Sequence, residues 1–131
     1  MRPPCATLSE VLFDASAVIA WVKDEAGAER VQALAHAASV SAVNWAEILG
    51  KLATQRMDAD DWVGQLQLPI LPFGMTEAEA AARLISAHRG VLSLGDAACI
   101  ATAELRRCPV LTADRVWATL PLGIEVRLIR P

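Results

Sequence analysis

Cysteine is scarce in this chain and poorly spaced for structural use. Cys5, Cys99 and Cys108 are odd in number and form no close pair, so neither a disulfide framework nor a zinc motif is indicated, and a reducing cytoplasm is the expected setting. Histidine is rarer still, with two residues. His36 has no second His, Cys or acid at ligand spacing and reads as a surface or helix-end residue, while His88 falls on a buried helical stripe. No apolar run reaches the roughly 18 residues of a membrane span, and Met1-Arg2-Pro3-Pro4 leads into no signal-type hydrophobic region. A soluble, unprocessed chain with no membrane contact is expected. A basic excess is absent too: 12 Lys and Arg stand against 15 Asp and Glu, a formal net charge of −3. That argues against a protein that coats nucleic acid, although an acidic pocket filled with divalent cations would still present a less negative face to phosphate. With no internal repeat, low-complexity tract or linker, residues 1–131 read as one domain with a loose lead-in over 1–10.

What the chain has in quantity is apolar surface. A hydrophobic fraction of 54% and a mean hydropathy of +0.35 leave two readings open, an alanine-rich core or an apolar surface covered by a partner or a second copy. Along the sequence, short apolar runs alternate with helical patterns, as in an α/β fold with a parallel sheet. Val11-Leu12-Phe13 is a strand ended by Asp14, and Ala15 to Val22 continues as an almost wholly apolar helix. A helix follows over about 25–37. Ser39-Val40-Ser41 is a weak strand, and a helix from about Ala42 to Met57 puts Trp45, Ile48, Leu49 and Leu52 on one face. Asp58-Ala59-Asp60-Asp61 reads as a turn and solvated helix start ahead of Trp62, Val63 and Leu66. Ile70-Leu71-Pro72 is a third strand, and Thr76-x-x-Glu79 has the form of a capping box opening a helix to about His88, with Gly90 at its end. The segment Leu92 to Trp117 supplies a helix from Leu94 to about Arg107 and a strand at Pro109-Val110-Leu111. A helical turn over Arg115 to Leu120 and an edge strand over Ile124 to Ile129 complete the pattern.

In such a fold each helix N-terminus lies at the carboxyl edge of the sheet, where ligands bind. Asp14, Glu47, Asp96 and Asp114 are all placed there. Each also has a bland explanation. Asp14, Asp96 and Asp114 sit where N-caps sit, Asn44-x-x-Glu47 fits a capping box, and Glu47 with Lys51 is a favourable i, i+4 pair. Four carboxylates in one pocket would raise one another's pKa unless a cation neutralised them, so true clustering would favour a hard-metal site. Spacing alone leaves caps and site open.

The joint pattern resembles a known family. Val-Leu-Phe-Asp14-Ala-Ser, Ser41-Ala-Val-Asn-Trp-Ala-Glu47, Leu92-Ser-Leu-Gly-Asp96-Ala-Ala-Cys-Ile-Ala-Thr-Ala and Val110-Leu-Thr-Ala-Asp114-Arg, in this order, are similar to the PIN-domain proteins and most of all to the VapC-type toxin ribonucleases. The resemblance covers about Val11 to Ile129. It implies a three-layer α/β/α sandwich around a mainly parallel sheet of about five strands. It also implies Mg2+ or Mn2+ held by Asp14, Glu47, Asp96 and Asp114, with Ser16 and Thr112 as supporting hydroxyls. The implied activity is metal-assisted hydrolysis of RNA, and the implied partner is a cognate antitoxin. Many relatives carry a further acid two residues after the fourth, where this chain has Val116, which bears on how a second metal is held. The apolar excess suits an antitoxin-covered or dimeric chain, with Trp21, Val22, Trp45 and Trp62 as candidate contacts and a homodimer expected. Arg115 and Lys51 are the candidate RNA contacts. The alternatives are a housekeeping RNA-processing nuclease without an antitoxin, a catalytically silent PIN-like binding module, and a generic α/β domain whose acids are only caps.

Overall fold

The computed structural model describes residues 10–57 and 64–131. Residues 1–9 of the expected lead-in and the acidic run with Trp62 lie outside the described residues. Five strands are assigned: β1 (Val11–Phe13), β2 (Ala38–Ser41), β3 (Ile70–Leu71), β4 (Val110–Thr112) and β5 (Val126–Leu128). They form one sheet in the order β3-β2-β1-β4-β5, and every pairing is parallel. The expected parallel α/β architecture is what the chain adopts.

The helices bounded within the described residues are α1 (Ala15–Val22), α2 (Ala28–Leu34), α3 (Ala42–Thr54), α4 (Met75–Ala87) and α5 (Leu94–Arg106). Short 3-10 turns follow at Ala35–Ala37 and Arg115–Thr119. Side chains alternate across a strand, and this splits the core into two layers. Val11, Phe13 and Leu111 pack with Val18, Val31, Ile48 and Leu52 on one face of the sheet. Leu12 and Val110 pack with Cys99, Ile100, Ala103 and Trp117 on the other. The alanines of α5 leave room for α4 to lie against it through Ala81, Ala97 and Ala101. The central strands β1, β2 and β4 are wholly buried, whereas β3 and β5 at the edges are partly exposed.

Three local expectations are corrected. The helix expected over 25–37 starts later, at Ala28, because Gly27 occupies the left-handed region at φ 96° and breaks the approach to it. Its Cα faces the Ile129 carbonyl so closely that a Cβ would lie 2.6 Å from that oxygen. The α4 cap is not Thr76 with Glu79: Gly74 is the N-cap, and its N–H donates to Glu77 Oε1 at 2.7 Å. Two residues earlier in the chain, the same acid-to-amide spacing was available and won. Finally, Cys99 is a free thiol but Cys108 is disulfide-bonded, a pairing that the spacing did not indicate.

The strand order reverses at β1. From β1 the chain moves to β2 and β3 on one side, then crosses back to β4 and β5 on the other. The crevice at the carboxyl ends of β1 and β4 is therefore the topological switch point, the place where open α/β sheets bind ligands.

Candidate active site

Asp14 follows β1 directly and is 6% exposed. Although it stands at the N-cap of α1, its carboxylate makes no capping bond. Instead Oδ2 accepts from Ser16 Oγ at 2.7 Å and from Thr112 Oγ1 at 2.8 Å. Thr112 is the last residue of β4, and its hydroxyl oxygen also accepts from the Asp114 N–H at 3.0 Å. Ser16 Oγ accepts from the Ala113 N–H at 3.0 Å. The two hydroxyls thus lock the ends of β1 and β4 together around one carboxylate. Burial pushes the Asp14 carboxyl up to about 6; the hydroxyls of Ser16 and Thr112 pull against that shift, and the charge of Asp96 adds to it.

Glu47 lies in the second turn of α3. The cap of α3 is Ser41, whose Oγ accepts from the Val43 N–H at 3.2 Å, so Glu47 is free of that duty. Its Oε1 accepts from Asn44 Nδ2 at 2.9 Å. The expected pair with Lys51 does not form among the described residues. Asp96 and Asp114 do cap. Asp96 and Ser93 form a reciprocal box at 3.0 and 3.1 Å, and Asp114 Oδ1 accepts from the Val116 N–H at 3.0 Å. The capping explanation is therefore true of two acids and fails for the other two.

Asp14 and Asp114 directly follow the β1 and β4 ends, while Glu47 and Asp96 lie in the early turns of α3 and α5. The charges of Asp14, Asp96 and Glu47 all bear on the buried thiol of Cys99, which burial first and these acids next push well above the usual range. Cys99 lies one turn beyond Asp96 on α5, buried in the core layer with Leu12 and Val110. Asp114 stands across the Thr112 bridge. No Lys, Arg or His forms an ion pair with any of the four among the described residues.

This donor set is chemically suited to a hard divalent cation, being anionic oxygen throughout. It is not a closed cage: among the described residues no three His, Cys, Asp or Glu side chains are gathered closely enough to hold a metal. Arg115 and Lys51 are both exposed. Trp21, Val22 and Trp45 are half-buried against the sheet, while Trp117 is fully buried. Two residues escaped the sequence reading. Asn44 was legible only as a capping residue and Gly95 only as part of a motif, yet Asn44 Nδ2 also donates to the Gly95 carbonyl at 3.0 Å. The i, i+3 spacing of Asn44 and Glu47 was the available signal.

A parallel five-stranded sheet with a switch point between β1 and β4 defines a class of fold, and comparison with known proteins identifies it. The PIN-domain family model matches residues 11–121, and the chain belongs to the PIN-domain family, whose members are nucleases that generally use divalent metals. Its fold is similar to that of a toxin–antitoxin complex from Klebsiella pneumoniae, at 23% identity and TM-score 0.69 over 86% of this chain and 93% of that one. It is likewise similar to DNA-bound VapBC from Salmonella typhimurium, at 16% identity and TM-score 0.71 over 92% and 98%. FitAcB from Neisseria gonorrhoeae aligns at 21% identity and TM-score 0.64 over 89% and 96%. No curated protein matches the chain in sequence.

Proposed function

We propose that this protein is a metal-dependent endoribonuclease toxin restrained by a cognate antitoxin. In this reading Asp14, Glu47 and Asp96 are the main ligands for Mg2+ or Mn2+, and Asp114 is a weaker or water-mediated one. One observation carries it: the matched acids follow the strands and open the helices of a parallel sheet in a chain that the PIN-domain family model covers over residues 11–121. Burial raises the Asp14 carboxyl and the charge of Asp96 adds a smaller push, so a cation bound beside it would favour the ionised form.

When bound, the cation supplies an activated water and stabilises charge on the phosphoryl and leaving oxygens. The chain's own residues do the orienting. Ser16 and Thr112 aim the Asp14 carboxylate, and the N-terminal turns of α1, α3 and α5 all face the crevice with their partial positive ends. No protein nucleophile is needed. Cys99 is a poor one in any case, because its thiol is held protonated.

The antitoxin part of the reading is supported by the toxin–antitoxin complexes among the similar structures. Trp21 and Val22 line a cleft of about 350 Å³ with Gln32, Gln65 and Leu66, which suits an apolar partner segment; Trp45 is half-buried on the same layer. A homodimer in the cytoplasm, with Arg115 and Lys51 meeting the RNA backbone, completes the proposal. No helix among the described residues is long and apolar enough to cross a membrane.

The test is cleavage of a panel of single-stranded and structured RNAs by the purified protein with Mg2+, Mn2+ or EDTA, beside Asp96→Asn. Metal-dependent cutting that the variant lacks supports the reading; equal cutting by both sinks the assignment of Asp96. A catalytically silent PIN module is the second reading, and the open spacing of the acids favours it. A protein that neither cuts RNA nor binds Mg2+ would establish that alternative.

A further inference from the structure

We propose that Asn44, with Gly95, is a positioning device for Glu47: the amide clamps the Glu47 carboxylate onto the side-chain-free backbone of Gly95, beside Asp96. The inference rests on the metal-site reading and adds residues to it. Glu47 is exposed and has three rotatable bonds, so left alone it would sample many directions. Two features remove that freedom. Asn44 is fully buried and uses both hydrogens of its amide, one on Glu47 Oε1 at 2.9 Å and one on the Gly95 carbonyl at 3.0 Å. With both partners acceptors, the orientation of the amide is fixed by chemistry. On the other side, a Cβ at Gly95 would overlap the whole Glu47 carboxylate. The carboxylate occupies the space that any other residue at position 95 would fill.

Asn44 gains little stability from this arrangement. Its Oδ1 is buried with no hydrogen-bond partner, a cost that a residue serving packing alone would not carry. What the amide achieves is a link between α3 and the first turn of α5, spanning 51 positions of sequence. Glu47 and Asp96 are thereby registered against each other, as Ser16 and Thr112 register Asp14. Asn44 touches no reacting atom and acts through Glu47.

The experiment is a double-mutant cycle read by Mn2+ binding, using calorimetry on the full chain as wild type, Asn44→Ala, Glu47→Gln and the double variant, with circular dichroism as the fold control. Asn44→Ala should weaken Mn2+ by about 10- to 100-fold, the usual scale for removing a group that orients a ligand. In the Glu47→Gln background it should have no further effect. Gly95→Ala should match the loss while remaining folded, and Asn44→Ser, which keeps one donor, should recover part of it. Unchanged Mn2+ affinity in Asn44→Ala, or an undiminished loss in the Glu47→Gln background, overturns the proposal. A readout independent of the ion separates this from failure of the metal reading. In the ion-free wild type the Asn44 side-chain NH2 should give two resolved, exchange-protected proton resonances that shift in Glu47→Ala. If they do while no ion binds, the metal reading fails and the clamp stands; if they are averaged and unprotected, the clamp itself is wrong.

Discussion

Thr112 Oγ1 donates to Asp14 Oδ2 at 2.8 Å, joining residues 98 positions apart at the carboxyl ends of the two strands that flank the switch point. The same oxygen accepts from the Asp114 N–H, so one hydroxyl holds two of the four acids. Thr112→Val keeps shape and burial but removes both bonds. The Asp14 carboxyl should then titrate above about 6, and stability should fall by roughly 1–3 kcal/mol, the cost of leaving buried partners unsatisfied. Carbon-13 titration of the carboxyls and urea unfolding would measure the two effects; an unmoved Asp14 would show that the hydroxyl does not govern it.

Stability without metal should depend on pH through Asp14. Its folded-state value of about 6 lies above the ordinary 3.8 of an aspartate, so the folded chain holds a proton that the unfolded chain releases. The contribution is fully present below about pH 4 and is lost as pH rises through 6. The span corresponds to at most roughly 3 kcal/mol. In EDTA, Tm should fall between pH 4 and 7 in the wild type and be flatter in Asp14→Asn, which should be the more stable of the two at pH 7. A wild-type Tm that climbs across this window would contradict the assignment.

Asp96→Asn should be a clean test of chemistry. Its carboxylate caps α5 by accepting from the Ser93 N–H, and the carbonyl oxygen of Asn can accept the same bond. The loss of stability should stay within about 1 kcal/mol, while RNA cleavage falls at least about a hundredfold, the scale of losing one charge-handling group. Ser93→Ala should do the reverse, costing about 1 kcal/mol through the lost Ser93 cap with cleavage largely kept. Thermal melts and initial rates on the same preparations distinguish the two variants.

Gly27→Ala should affect stability alone. At φ 96° an L-residue is strained, and its Cβ would meet the Ile129 backbone oxygen at 2.6 Å. Because that oxygen belongs to the main chain, it cannot swing aside as a flexible side chain would. Destabilisation of roughly 1–3 kcal/mol is expected, with Mn2+ affinity unchanged. A matching loss of affinity would mean that the site feels the β5 edge.

The sequence by itself determined the alternation of short buried strands and helices, because a strand covered on both faces must be a continuous apolar run and a helix packed on one face must repeat near 3.6. Val11-Leu12-Phe13 and Ala15 to Val22 were legible to the residue for that reason. The motif order carried the family. Tertiary structure decided what each acid does. Local pattern offered every one of them a cap, and whether a cap is used depends on which donor comes nearest once the chain is folded. At Asp14 two hydroxyls, one of them from a strand 98 positions away, displaced the cap. At Glu47 the cap had already been taken by Ser41, and the amide of Asn44 turned to a backbone carbonyl 51 positions distant. Hydrogen bonds between residues so far apart leave no periodicity in a sequence, and the space beside Gly95 exists only because α3 and α5 meet there.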